Sequence, residues 1–399
     1  MTARPVFLSS LGIVSALGHG TVDVAKNLFS GDQKGMRRRD DLLIDGRSTV
    51  VGEVSGELPP VQDALRAYRS RNFQMVIAAV EQMREELDGA IEKYGPARVG
   101  VVMGSSTSGI DEGEKALTEE VATGTFPSSY DIRMQELGSV AEGLALYLGL
   151  GGPAYTISTA CSSGTHALST GKRMLESGIV DAVVVGGADT LCRLTLNGFQ
   201  ALSALSYELC LPFSKNRRGI NIGEGAAIFL MQREEADVAL WGVGSSSDGY
   251  SMTSPQPEGE GVEIALHAAL TDAGCEAREI NYVQMHGTGT DQNDRMESSI
   301  IARLFDHDVP ASSSKAQIGH ALGAAGAMGA AHCWLAAHPT NEAGYLPPHM
   351  WDGVAEDGML NETLVRPGDR MSAGSRPLFL SNAFAFGGNN ACLVIGRAA

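Results

Sequence analysis

The chain has 399 residues, 47 acidic against 30 basic, with a formal net charge of -17. That charge opposes a polyanion such as nucleic acid as the default partner, and 43% hydrophobic with 19% charged residues excludes a disordered chain. Glycine, 49 residues without a three-residue period, exceeds the usual frequency of roughly 7% and calls for local geometry to explain it.

In chain order, the start Met1-Thr2-Ala3-Arg4-Pro5 lacks the charged head and apolar run of a leader, and Val6-Phe7-Leu8 reads as a buried first strand. Arg66, Arg69 and Arg71 recur on a helix-like segment, as a solvated face or as a basic docking patch. The stretch from Phe73 to Tyr94 has the three-to-four spacing of an amphipathic helix, and so does Gly261 to Ala273. The runs Val99 to Gly104, Ala182 to Gly187, Ala227 to Met231 and Cys392 to Gly396 have the length and β-branched content of buried strands. The pattern is an α/β chain. It is interrupted near residues 235 to 260, which divides it into an N-terminal half, 1–240, and a C-terminal half, 241–399, sharing a broad apolar interface. Residues Ala321 to Ala337 are apolar but fall short of the roughly 20 needed to cross a bilayer. The expected location is therefore cytoplasmic. The six cysteines, at 161, 192, 210, 275, 333 and 392, show no CxxC spacing, so neither a disulfide framework nor a metal site is expected. Gly242-Val243-Gly244 lacks the third glycine of a nucleotide fingerprint, and no cofactor is expected.

Four segments carry chemistry. Ser158-Thr159-Ala160-Cys161-Ser162-Ser163-Gly164 sets one cysteine between a strand-like run and a small-residue helix, where the helix start would favour a thiolate nucleophile; taken alone, a buried inert thiol fits as well. Met285-His286-Gly287-Thr288-Gly289-Thr290-Asp291 presents an imidazole at a strand end, in a catalytic or a turn-stabilising role. Lys315 and His320 lie five residues apart at the start of a Gly/Ala-rich helix, as a functional or a structural pair. In the tail, Phe384-Ala385-Phe386-Gly387-Gly388 sets two aromatics before a glycine turn that is either a core feature or an oxyanion-stabilising one.

Together these segments resemble the elongating β-ketoacyl-acyl-carrier-protein synthases of the thiolase-like superfamily. The resemblance spans the chain, from Ser9-Ser10-Leu11-Gly12 through Gly186-Gly187-Ala188-Asp189-Thr190, Pro212-Phe213-Ser214-Lys215-Asn216-Arg217 and Gly223-Glu224-Gly225. It implies a five-layered α/β/α/β/α fold built from two related halves. It also implies a Cys161-His286-His320 centre with Lys315 in electrostatic support, and an oxyanion hole from the backbone N–H groups of Cys161 and Phe386. Phe384 or Phe386 would gate the pocket, Glu297 would belong to a charged network with Lys315, and Asn293 and Asp294 would fix the catalytic loop. The implied reaction moves an acyl group from an acyl carrier protein to Cys161, then condenses it with a malonyl-loaded carrier, with loss of carbon dioxide, to a 3-oxoacyl thioester. The implied partners are that carrier, docking on Arg66, Arg69 and Arg71, and a second chain: a homodimer, or a heterodimer with a chain-length factor.

Departures from the family pattern fall at Ser214 and Arg218, often aspartate, and at Ala383, Ala385 and Asn389. The runs from Ser214 to Glu224 and from Ala385 to Asn390 are similar to ketosynthases that build aryl polyenes, so fatty-acid and aryl-polyene or type II polyketide synthesis both stand. The alternatives are a non-catalytic chain-length partner, a thioester hydrolase and a priming synthase; Cys161 opposes the first and the paired histidines oppose the last.

Overall fold

In the computed structural model, described over residues 5–305, 308–372 and 376–398, ten strands follow one another edge to edge. The first run comprises β1 (Val6–Ser15), β2 (Val99–Gly104), β3 (Ala154–Ile157), β4 (Ala182–Asp189) and β5 (Gly225–Gln232). The second comprises β6 (Val238–Ser247), β7 (Tyr282–Gln284), β8 (Ala311–Ser312), β9 (Leu378–Ala385) and β10 (Asn389–Arg397). The spatial order is β8-β7-β9-β10-β6-β1-β5-β4-β2-β3. Each run therefore has the same internal order, third, second, fourth, fifth, first, with the same directions: parallel around its second strand, antiparallel from its fourth strand to its first. The runs join where β1 meets β6, Val6 opposite Leu240 and Phe7 opposite Ala239. The expected first strand at Val6 is β1; Met1 to Arg4, read above as lacking a leader's head, lie outside the described residues.

The strands are apolar because both faces are covered. In β4, Val183 and Val185 point into one apolar cluster while Ala182, Val184 and Ala188 point into another. In β10, Leu393 and Ile395 join the same middle cluster, and Cys392 and Val394 face a third. Helices fill those spaces. The expected helix from Phe73 to Tyr94 is two: α1 (Arg71–Val80), begun by a Ser70 side chain that accepts the Phe73 N–H, and α2 (Arg84–Tyr94), after a tight turn at Glu81–Met83. With α3 (Ser139–Leu148), α1 covers the outer face of the first run. The middle layer holds α4 (Ser163–Glu176), and α5 (Glu260–Ala273) and α6 (Asp291–Leu304) cover the outer face of the second run. The last, α7 (Ala325–Ala337), joins α4 in the middle layer. This is the five-layered α/β/α/β/α arrangement of the thiolase-like fold.

Glycine permits the close approaches. A Cβ on Gly326 would lie 2.1 Å from Thr165 Oγ1, and one on Gly164 would lie 2.7 Å from the Ala327 nitrogen, so α4 and α7 cross backbone to backbone. The Gly242 and Gly244 pair sits in β6 under α5, where a Cβ would strike the Ala269 and Ala265 carbonyl oxygens. Those glycines lie within β6 and admit a helix to the sheet. The α7 sequence is small and apolar all round because it is buried all round; no helix among the described residues is long and apolar enough to cross a membrane. The six cysteines are free.

Candidate active site

Cys161 stands on the turn between β3 and α4, and the hydroxyls after it build that turn. Ser163 Oγ donates to the Ala160 carbonyl at 2.6 Å and accepts the Thr159 N–H at 2.9 Å, while Ser162 Oγ donates to the Thr159 carbonyl at 2.8 Å. Ala160 is thereby held at φ +51°, a left-handed value uncommon for a residue with a Cβ. Cys161 is 6% exposed, and Cys161 Sγ lies 3.0 Å from Nε2 of His320.

The second run supplies both histidines. His286 follows β7, and its peptide is gripped from both sides: Glu297 Oε1 accepts the His286 N–H at 2.8 Å, Glu297 Oε2 accepts the Gly287 N–H at 2.7 Å, and Lys315 Nζ donates to the His286 carbonyl at 2.5 Å. Asp294, one turn earlier on α6, accepts the Thr288 and Gly289 N–H groups and that of Phe213; Asn293 Nδ2 donates to it. His320 lies between β8 and α7, donating its N–H to the Asn221 carbonyl at 2.7 Å and accepting the Gly223 N–H at 3.0 Å. The two imidazoles meet nearly edge to face with centroids 5.3 Å apart, and Phe384 lies 6.0 Å from His286. The Cys161 sulfur and one ring nitrogen of each histidine fall within 4.8 Å of one another.

Burial sets the protonation. It pushes the Cys161 thiol up to about 12, with Lys315 and the N–H groups of Phe386 and Cys161 itself pulling the other way. The helix-start thiolate expected from the sequence is thus not the resting form, because desolvation outweighs those favourable fields. Burial and the Lys315 charge hold His286 and His320 well below the ordinary imidazole range, so both rings are neutral. His320 Nδ1 is buried without a hydrogen-bond partner among the described residues, so nothing there fixes its tautomer and Nε2 can accept or donate a proton. Cysteine and histidine are also zinc-ligand types. Here Lys315 and two peptide N–H groups favour an anion at the sulfur, while burial and the Asp189 carboxylate oppose it.

A cavity of about 520 Å³ opens on this centre, lined by Cys161, His286, His320, Phe384, Phe386 and Phe199 among others. Phe386 rests on Phe199, centroids 5.4 Å apart, and Gly387 at φ +80° turns its N–H to the Met252 carbonyl at 2.8 Å. Sequence reasoning missed Phe199 and the Asn221 carbonyl, which have no motif of their own and reach the site only through the fold. Asn382, two residues before Phe384, donates to Glu297 Oε1 at 3.1 Å; its amide type was the only signal for that role. The expected Lys315–Glu297 relation runs through the His286 peptide that both hold. The three arginines do not share one helix: Arg66 is exposed in a short 3-10 segment, Arg69 is exposed and paired with Asp63, and Arg71 opens α1. Arg71 turns inward to the buried Glu224 carboxylate, and none of the three lines the Cys161 cavity.

A buried thiol set against two neutral imidazoles at the seam of a duplicated, five-layered fold defines a thiolase-like condensing enzyme. Models of the β-ketoacyl synthase N-terminal and C-terminal domains match residues 3–236 and 238–350. A solved ketosynthase, ApeO, in complex with its chain length factor, ApeC, from Xenorhabdus doucetiae, is similar at 41% identity and a TM-score of 0.93, over 99% of this chain and 98% of that one. Nodulation protein E of Rhizobium meliloti strain 1021 is 34% identical over 98% of both chains. The 3-oxoacyl-[acyl-carrier-protein] synthase 2 of Vibrio cholerae serotype O1 is 32% identical over 100% of both. The chain belongs to the β-ketoacyl synthase family. Its activity is that of an acyltransferase performing decarboxylative condensation on carrier-borne thioesters.

Proposed function

We propose that Cys161 receives the acyl group and that His286 and His320 stabilise the enolate formed from the malonyl thioester. The observation that carries this is the 3.0 Å approach of His320 Nε2 to Cys161 Sγ, with the Cys161 and Phe386 N–H groups facing the same sulfur. In the first half-reaction the thiol attacks the acyl thioester, the N–H pair takes the charge on its oxygen, and the carrier leaves as a thiol with the proton released by Cys161. In the second, the malonyl group loses carbon dioxide. Its thioester oxygen gains negative charge and accepts hydrogen bonds from the two neutral imidazoles. The enolate carbon then attacks the Cys161 thioester, the C–S bond breaks, and the sulfur regains a proton from solvent. Lys315 and Glu297 position His286; Asp294 and Asn293 hold the loop after it; Phe384 and Phe386 line and gate the cavity.

The product is a 3-oxoacyl thioester in an aryl-polyene or related type II pathway, the reading supported by the likeness to a ketosynthase found with a chain length factor. The second chain, identical or a chain-length factor, pairs at β3, an edge strand whose Ala154 and Tyr155 are exposed. The carrier docks on the basic side chains Arg66 and Arg69. Six free, scattered thiols suit a reducing cytoplasm. The nucleophile belongs to residues 1–240 and the histidines to 241–399, the division falling within β6. Intact-protein mass after incubation with acyl-loaded carrier, followed by malonyl-dependent product analysis, tests this reading. An acyl adduct on Cys161 that elongates by two carbons is expected; no adduct with correctly loaded carrier and partner chain overturns it.

A further inference from the structure

We propose that Asp189 is a positioning residue of the active centre, a buried carboxylate that ties together the turns presenting Cys161 and His320. The proposal rests on the roles given above to those two residues. Asp189 ends β4 and is wholly buried. The Ser105 and Thr107 hydroxyls donate to it at 2.7 Å each, and the N–H groups of Ser106, Thr107 and Ala324 at 2.9, 2.7 and 3.1 Å. The backbone donors suit the ionised carboxylate, against burial, which pushes the carboxyl up.

The places it holds are the strained ones. Among the described residues, the non-glycine positions at positive φ are Ser108, Ala160, Ser203, Phe213 and Leu322. Three of these lie on segments attached to Asp189. Ser108, at φ +48°, donates its N–H to Ser105 Oγ, the hydroxyl bonded to the carboxylate. Ala160, at φ +51° beside Cys161, accepts Ser106 Oγ at 3.4 Å. Leu322, at φ +46°, lies between His320 and Ala324, and a Cβ on Gly323 would stand 2.8 Å from Asp189 Oδ2. Strained backbone of this kind persists only where its surroundings over-determine it. One carboxylate anchors such turns in both halves, the one before Cys161 and the one after His320.

The test is Asp189→Asn in the full chain, read by thermal melting, by condensation kinetics and by the pH profile of Cys161 alkylation with iodoacetamide. The groups facing the thiol are Lys315, Asp189, His286 and His320, of which Asp189 is the anion. The amide sets N–H groups against N–H donors and removes that charge. A folded variant is expected to lose roughly tenfold or more in kcat, to keep KM for the carrier within about twofold, and to be alkylated at lower pH than wild type. A variant that melts lower but keeps the wild-type kcat and alkylation profile makes Asp189 structural only and overturns the proposal. Should that variant not fold, Ser106→Ala keeps the carboxylate and drops the link to Ala160; about a threefold loss of kcat is expected, and wild-type kcat overturns the proposal. Wild-type enzyme that takes no acyl group on Cys161 sinks the nucleophile assignment itself, a separate failure.

Discussion

Lys315 and Glu297 hold opposite ends of one peptide unit region: the ammonium binds the His286 carbonyl, and the carboxylate binds the His286 and Gly287 N–H groups. The two charges thus fix where the imidazole starts without touching it, and the Lys315 field helps keep both histidines neutral. Replacing Glu297 by glutamine should disturb His286 before it disturbs Cys161, whereas replacing Lys315 acts on both, since its charge also bears on the thiol.

Burial raises the Glu297 carboxyl to about 7 from 4.5, so its ionisation opposes the native state as pH rises through that window. The buried histidines act in the opposite sense below their ordinary 6.5, so the expectation is for a difference between proteins. Relative to wild type, Glu297→Gln should gain stability as pH rises from 4.5 to 7. Denaturant unfolding of both proteins at several pH values checks this, and parallel curves would contradict it.

Cys161→Ala removes the proposed acyl carrier. Condensation should fall by at least about a thousandfold, while release of carbon dioxide from malonyl carrier continues, because His286 and His320 remain. Acyl adducts by mass and labelled carbon dioxide by counting separate the two half-reactions.

His286→Ala should do the reverse. No side-chain bond links His286 to the sulfur, so acylation of Cys161 should stay within about threefold of wild type. Decarboxylation should fall roughly a hundredfold with the loss of one donor to the enolate oxygen. Equal loss of both steps would place His286 in acyl transfer instead.

Gly326→Ala drives a methyl group to 2.1 Å from Thr165 Oγ1 where α4 and α7 cross. The expected cost is about 1–3 kcal/mol of stability, seen as a lower melting temperature, with reduced activity because α4 begins just after Cys161 and α7 just after His320. An unchanged melting temperature would mean that the crossing has room to spare.

The strands and the central helices were legible because a run buried on both faces must be apolar and a helix buried all round must be small, as β4 and α7 are. Taken singly, the thiol and the two histidines were each as well read as structural; the ordered combination of their segments, resembling the β-ketoacyl synthases, picked them out together. The Phe73 to Tyr94 break was not legible, since the apolar spacing continues through the tight turn at Glu81–Met83 while the backbone does not. The resting thiol was missed because a helix start argues for an anion locally, whereas burial is a property of the whole fold. Arg71 likewise looked like its neighbours in sequence and turned inward only because Glu224, 153 residues away, is buried beside it.

The two runs of strands have one topology, and α4 and α7 occupy the same place in each, between the third and fourth strands. Cys161 and His320 therefore stand at corresponding points of two copies of one motif. Two identical chains meeting there would bring like against like, thiol to thiol or imidazole to imidazole. Covalent duplication lets one copy change without the other, and a thiol opposite an imidazole is a broken symmetry that a single repeated chain could not encode.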